Sequence, residues 1–115
     1  MVLRKTMIFV SIEDFYEHAA LCHVMNRKEE AASAMRMKEG DITARDQLIQ
    51  SYIPMVAGHI KHMKPQLQQF GLVIHCLQAL EKAVDSFDFS QESETFPHRL
   101  SWWLRQATVE YITRR

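Results

Sequence analysis

The sequence predicts an all-α fold, a compact helical bundle, and three observations carry that prediction. Gly and Pro number only three each in 115 residues, too few for the tight turns of a β sandwich or barrel. Long stretches run without either residue, and within them apolar side chains recur every three or four positions, the helical period. The 47% hydrophobic and 24% charged shares belong to a globular chain and argue against wholesale disorder. A domain of this size buries roughly two-thirds of its unfolded surface, without need of disulfides or a structural metal.

Residues 1–10 form an apolar lead-in without helical period, a short strand or an arm lying on the domain. Ser11 with Asp14 makes a weak capping box, and Glu13 and Asp14 suit a helix N-terminus. No Gly or Pro then interrupts as far as Glu39, and Phe15, Ala19, Cys22 and Met25 supply one buried stripe. The stretch is one helix, or two divided at Arg27-Lys28-Glu29-Glu30. Gly40 fits the position just past a helix end, where the left-handed region is cheap only for glycine. Thr43 and Asp46 open the next helix, with Leu48, Ile49, Tyr52, Ile53, Val56 and Ile60 at helical spacing. Pro54 either kinks it or starts a second one, and Lys64-Pro65-Gln66 ends it. A helix over 72–84 shows a broad apolar arc of Leu72, Val73, Cys76, Leu77, Leu80, Ala83 and Val84. Residues 85–89 leave it and 90–95 are a polar, acidic loop. Pro97 suits a first helical position with Thr95 as cap, and the last helix runs to about Thr113.

Fourteen basic residues balance fourteen acidic ones, which excludes a globally basic nucleic-acid binder but not a local basic face. Cys22 and Cys76 allow at most one bridge and lack metal-binding spacing; with no secretory leader legible, they read as reduced thiols of a cytoplasmic protein. No apolar run reaches the roughly 18 residues of a membrane span. His59 and His62 stand three apart, but tetrahedral zinc needs about four ligands, and neither Cys22, His23 nor Cys76 lies at fitting local spacing. His18, His75 and His98 read as surface or cap residues. Gly40, Gly58 and Gly71 stand alone, so no phosphate-cradling loop is present. No metal, cofactor or catalytic residue is expected, and no enzyme activity.

The last helix is the most informative stretch. At about 100° per residue, Leu100, Trp103, Leu104, Ala107 and Tyr111 gather on one core face, while Arg99, Trp102, Gln106 and Glu110 fall together outside it. An outward Trp forgoes roughly 2–3 kcal/mol of burial. Either Trp102 is covered by the loop or the N-terminal segment, or it offers a flat π surface, with Arg99 and Gln106 beside it, suited to stacking on a base and bonding its edge. Arg99, Arg105, Arg114 and Arg115 stand against Glu110 alone, after the acidic stretch Asp85, Asp88, Glu92 and Glu94. Either these are ordinary solvated segments, or a weakly basic helix meets phosphate with the acidic loop turned away, giving modest, salt-sensitive affinity.

Lys82-Ala83-Val84-Asp85-Ser86-Phe87-Asp88-Phe89, followed by Phe96 and Ser101-Trp102-Trp103-Leu104-Arg105-Gln106-Ala107, resembles the second conserved region of bacterial sigma factors of the sigma-70 class. Upstream, Lys38-Glu39-Gly40-Asp41, Ala44-Arg45 and Leu48-Ile49 resemble the opening of the same region, and Met55-Val56 falls where a Val pair is usual. The resemblance covers residues 38–115 and leaves 1–37 as an N-terminal helical extension packing on the bundle. It implies a helical domain that docks on core RNA polymerase and opens promoter DNA, holding flipped bases of the single-stranded −10 element. By that resemblance, Trp102 and Trp103 match the tryptophan pair at the upstream fork, Gln106 the glutamine reading the adjoining base pair, and Arg105 an arginine near the backbone.

The departures bear on function. The family's flipped-base tyrosine falls on Arg99, which can stack and attract phosphate but is a different device. Glu110 takes a usually basic position. Where the family's polymerase-docking helix begins D-L-(I or V)-Q-E, this chain has Gly71-Leu72-Val73-Ile74-His75. The resemblance places Leu72, Ile74, His75, Gln78 and Glu81 on or near the polymerase-facing helix, and Arg99, Trp102, Trp103, Arg105 and Gln106 on DNA. A complete sigma factor also carries a −35-reading domain, whereas this sequence stops at Arg115: either it is a truncated or split sigma unit that needs a second protein, or it is a relic of the fold put to other use. The rival expectation is a sigma-like interaction module that binds an anti-sigma factor or a partner sigma fragment without promoter DNA.

Overall fold

Among the described residues, four of the five α-helices start on a short polar side chain that accepts a hydrogen bond from the backbone three residues on, as helix N-termini require. A computed structural model describes residues 9–91 and 93–114. Residues 1–8, Glu92 and Arg115 lie outside the described residues, and with them most of the lead-in expected over 1–10. Of that segment Phe9 sits edge-on to Phe15 at 5.4 Å and to His18 at 5.2 Å.

Helix α1 spans Ile12–Leu21. Ser11 Oγ accepts from the Asp14 amide at 3.1 Å, and the Asp14 carboxylate accepts from the Val10 amide, also at 3.1 Å. Helix α2 spans Arg27–Lys38, so the division falls over 22–26, ahead of the polar run and not within it. Asn26 and Glu29 form a reciprocal capping box at 2.8 and 3.0 Å. The linker is held to the third helix by the Met25 amide, which donates to the buried Ser51 hydroxyl at 2.9 Å.

Gly40, at φ +94°, closes α2 as predicted. Its amide bonds Met37 O and the Asp41 amide bonds Arg36 O, both at 3.0 Å, the Schellman arrangement. Asp41 then caps α3, Ile42–Lys61, through the Ala44 amide at 3.1 Å. Thr43 and Asp46 therefore lie inside that helix and do not open it. Pro54 sits within α3, which continues on both sides of it. A single 3-10 turn, Pro65–Leu67, leads to α4, Phe70–Ser86, where every residue of the predicted apolar arc is buried. Helix α5 spans Phe96–Thr113, with Thr95 Oγ1 accepting from the His98 amide at 3.4 Å.

Helices α4 and α5 pack most extensively on each other, α3 packs against α2 and α4, and α1 lies across α3 and α4. Phe15, Ile53, Leu72, Leu80, Phe96 and Leu100 are fully buried at the centre. Rings of Phe87, Phe89 and Phe96 meet at 4.9–5.3 Å where the chain leaves α4, with Tyr52 at 4.6 Å from Phe96. Arg45 clamps the start of α3 to the end of α4, donating to Asp85 at 2.7 and 2.9 Å. The radius of gyration, 13.9 Å, is close to the ~13 Å expected for one compact domain of this length. No helix among the described residues is long and apolar enough to cross a membrane.

Candidate functional site

The inward stripe of α5 fixes which of its side chains remain outside. Leu100, Leu104, Ala107 and Thr108 are buried, Trp103 and Tyr111 lie half-buried at the border, and Arg99, Trp102, Arg105, Gln106 and Glu110 are exposed. Trp102 is 44% exposed, so neither the loop nor the described N-terminal segment covers it. Its ring stands nearly perpendicular to that of Trp103, at 88° and 5.4 Å. The Gln106 carboxamide has no hydrogen bond to any described residue, which leaves its donors and acceptor for a ligand.

A shallow groove of about 160 Å³ runs between α4 and α5. His75, Gln78 and Lys82 line one side, and Trp102, Trp103, Gln106 and Glu110 the other. The structure thus brings two residues of the expected polymerase-facing set, His75 and Gln78, next to three of the expected DNA-facing set. Lys82 opens the motif that carries the resemblance but is not among the expected site residues, although positions 75, 78, 79 and 82 follow one helical stripe.

The remaining expected site residues lie apart from the groove. Leu72 is fully buried beside Val73 and Cys76 and belongs to the core stripe of α4, the buried side of the helix expected to face polymerase. Ile74 is half-buried. Glu81 approaches Arg45 at 3.5 Å. Arg105 is exposed outside the groove lining. Arg99 is engaged by Glu94, with Nη2 at 2.9 Å and Nε at 3.0 Å from Oε1. The acidic loop is therefore not wholly turned away from α5. Asp88, by contrast, is occupied within its own turn: hydrogen bonds from the Ser90 hydroxyl and amide hold its carboxyl below the usual range.

Charge around the groove is partly internal. Glu110 lies 3.8 Å from His75 and 3.4 Å from Arg114, whose positive charge offsets the carboxylate that would otherwise repel phosphate. Beneath α5, His59 Nε2 meets Thr108 Oγ1 at 2.8 Å, and that hydroxyl donates to Leu104 O at 2.9 Å. The Thr108 hydroxyl thus ties His59 to the backbone of α5. Burial, then the positive charges of Arg105 and His62, hold the His59 pKa below its ordinary value. His62 Nδ1 turns to Gly58 O at 2.6 Å, so the two histidines do not converge. Burial pushes the Cys76 thiol up to about 12, which keeps it protonated and unreactive at neutral pH.

No family model matches the chain. It is similar to the RNA polymerase sigma factor SigA of Listeria monocytogenes and of Listeria innocua, 31% identical to each over 90 residues. That stretch is 77% of this chain and 24% of each relative, so the chain spans about a quarter of the length of the curated relatives it matches. The likeness supports a sigma-70-like relationship. Its 90 residues are more than positions 38–115 hold, and so reach back into α2.

Proposed function

We propose that the chain is a sigma-like, non-catalytic transcription initiation domain of the cytoplasm that binds core RNA polymerase and −10-type promoter DNA. The observation that supports this most is the outward Trp102 beside a Gln106 with no hydrogen-bond partner among the described residues. Stacking of a base on an aromatic ring contributes about 1–3 kcal/mol, and a carboxamide can bond an adenine edge through two atoms. In this reading Trp102 and Trp103 form the stacking platform, Gln106 reads a base edge, and Arg99 and Arg105 meet phosphate. Ile74, His75, Gln78 and Glu81 form the polymerase-facing side, with Leu72 holding the helix from behind. Residues 38–115 carry this activity, and the described part of 1–37 packs on them through α1 and α2.

Anisotropy of labelled single-stranded −10 DNA, with and without core polymerase, tests the reading. Binding with polymerase present, weakened roughly 5- to 150-fold by Trp102→Ala in line with one lost stacking contact, is the expected result. Equal absence of binding by the wild type and a Trp102→Ala, Gln106→Ala variant under both conditions overturns it.

A second reading is favoured by Val109 and Ile112, 57% and 42% exposed on the outer side of α5. Apolar area of that kind suits a protein partner, here a second sigma subunit or an anti-sigma factor engaged without DNA. A pulldown dominated by such a protein, and free of polymerase large subunits, would select it.

A further inference from the structure

At the end of the α4–α5 pair, Tyr111 from the last turn of α5 lies across the first turn of α4. Gly71 makes room for it: a Cβ at that position would sit 2.8 Å from Tyr111 Oη and 2.9 Å from Cε1, closer than packed atoms approach. The Tyr111 hydroxyl donates to Gln69 Oε1 at 2.6 Å. The other end of that amide is fixed as well, because Gln69 Nε2 donates to Gln66 O at 2.7 Å. Gln69 stands at the N-cap of α4, where its side chain makes no capping bond. The residue placed to cap the helix thus holds the tyrosine of another.

This contact adjoins the groove on α5, where the lining residue Glu110 precedes Tyr111, and lies one helical turn from it on α4. His75 follows Gly71 by four residues on α4 and Ala107 precedes Tyr111 by four on α5, about 6 Å in each case. His75 also meets the Tyr111 ring edge-on at 5.5 Å and reaches Glu110 at 3.8 Å. Groups that read a base must be held to within about 0.5 Å. Among the described residues, no hydrogen bond joins Gln106 or Trp102 to α4.

We infer that Tyr111 is the positioning residue of the α4–α5 groove: seated over bare backbone at Gly71 and bonded to Gln69, it fixes the approach of the two helices and so the placement of Trp102 and Gln106. The inference rests on the promoter-DNA reading above. Its consequence is that two changes of opposite kind, loss of the hydroxyl and a methyl group at Gly71, disturb the same property. That property is discrimination between base pairs, not general attraction to DNA.

The test uses the full chain with core polymerase and fork-junction −10 DNA, in two versions that differ in the base pair at the upstream edge. Wild type is expected to separate the two, and Tyr111→Phe and Gly71→Ala each to lower the affinity ratio at least threefold. Tyr111→Phe keeps the ring and leaves thermal unfolding nearly unchanged. Gly71→Ala made in a Tyr111→Ala background, where the ring is gone, is expected to have no further effect on the ratio. Wild-type discrimination that survives both Tyr111→Phe and Gly71→Ala overturns the positioning role while leaving the DNA reading intact. Failure of the wild type to bind either DNA overturns that reading and the positioning role with it.

Discussion

Releasing Arg99 from Glu94 is expected to strengthen DNA binding. Arg99 is a proposed phosphate or base contact, yet its guanidinium lies 2.9–3.0 Å from a Glu94 carboxylate oxygen. With the side chains 45% and 22% exposed, the pair belongs to the solvated class, which contributes about 0.2–1 kcal/mol. DNA must displace that interaction before Arg99 is available. Glu94→Gln removes the competition and is predicted to tighten binding roughly 1.4- to 5-fold. The gain shrinks as salt is raised, because both the pair and the phosphate contact are screened. Anisotropy titrations of −10 DNA at several salt concentrations measure it, with the Arg99→Ala background as control. An unchanged or weaker affinity in Glu94→Gln, or an equal gain when Arg99 is already absent, would refute the reasoning.

Three further outcomes concern the fold. Leu104→Ala empties a fully buried site under the proposed DNA-reading surface and should destabilise by about 2–5 kcal/mol, read from the urea midpoint by circular dichroism. Gly40→Ala meets no atom within 4 Å but must adopt φ +94°, so about 1–2 kcal/mol of pure backbone strain is expected in the same assay. His59, with its folded pKa held low chiefly by burial, binds a proton more readily when unfolded. Its contribution is present above the ordinary value of about 6.5 and is lost as pH falls below it toward the depressed folded value. Denaturation at about pH 7.5 and 5.5 should show less acid sensitivity in His59→Gln than in wild type; equal sensitivity would exclude the histidine as a cause.

Local signals carried the helices well where one residue type did one job. Seven apolar positions of α4 repeat at helical spacing, and all seven are buried. Gly40 at φ +94° needed no tertiary information. The start of α3 differs from the expected one because no linker separates it from α2: Asp41 completes the Schellman turn of α2 and caps α3 at once, while Thr43 and Asp46 are cap-type residues standing inside the helix. The α1–α2 division was blurred for a different reason. No Gly or Pro marks it, and it is stabilised by the Asn26 box together with a hydrogen bond from Met25 to Ser51 on another helix.

The candidate site divided along the same line. Periodicity alone placed Trp102 and Gln106 outward on α5. It also placed Leu72 on the inner arc of α4, where it is buried. The Tyr111 to Gly71 contact depends on how two distant helix ends meet and has no local signature, whereas Glu94 and Arg99 stand five residues apart across the start of α5.

The perpendicular indoles of Trp102 and Trp103, 5.4 Å apart, have an optical consequence. Two such chromophores in fixed geometry couple their electronic transitions, and the sign and strength of the resulting dichroic band depend on their mutual angle. One indole is braced against the interior while the other faces water, so a ligand that turned the outer ring would alter the band without unfolding any helix. The molecule carries an intrinsic gauge of its own outer surface, readable without a label.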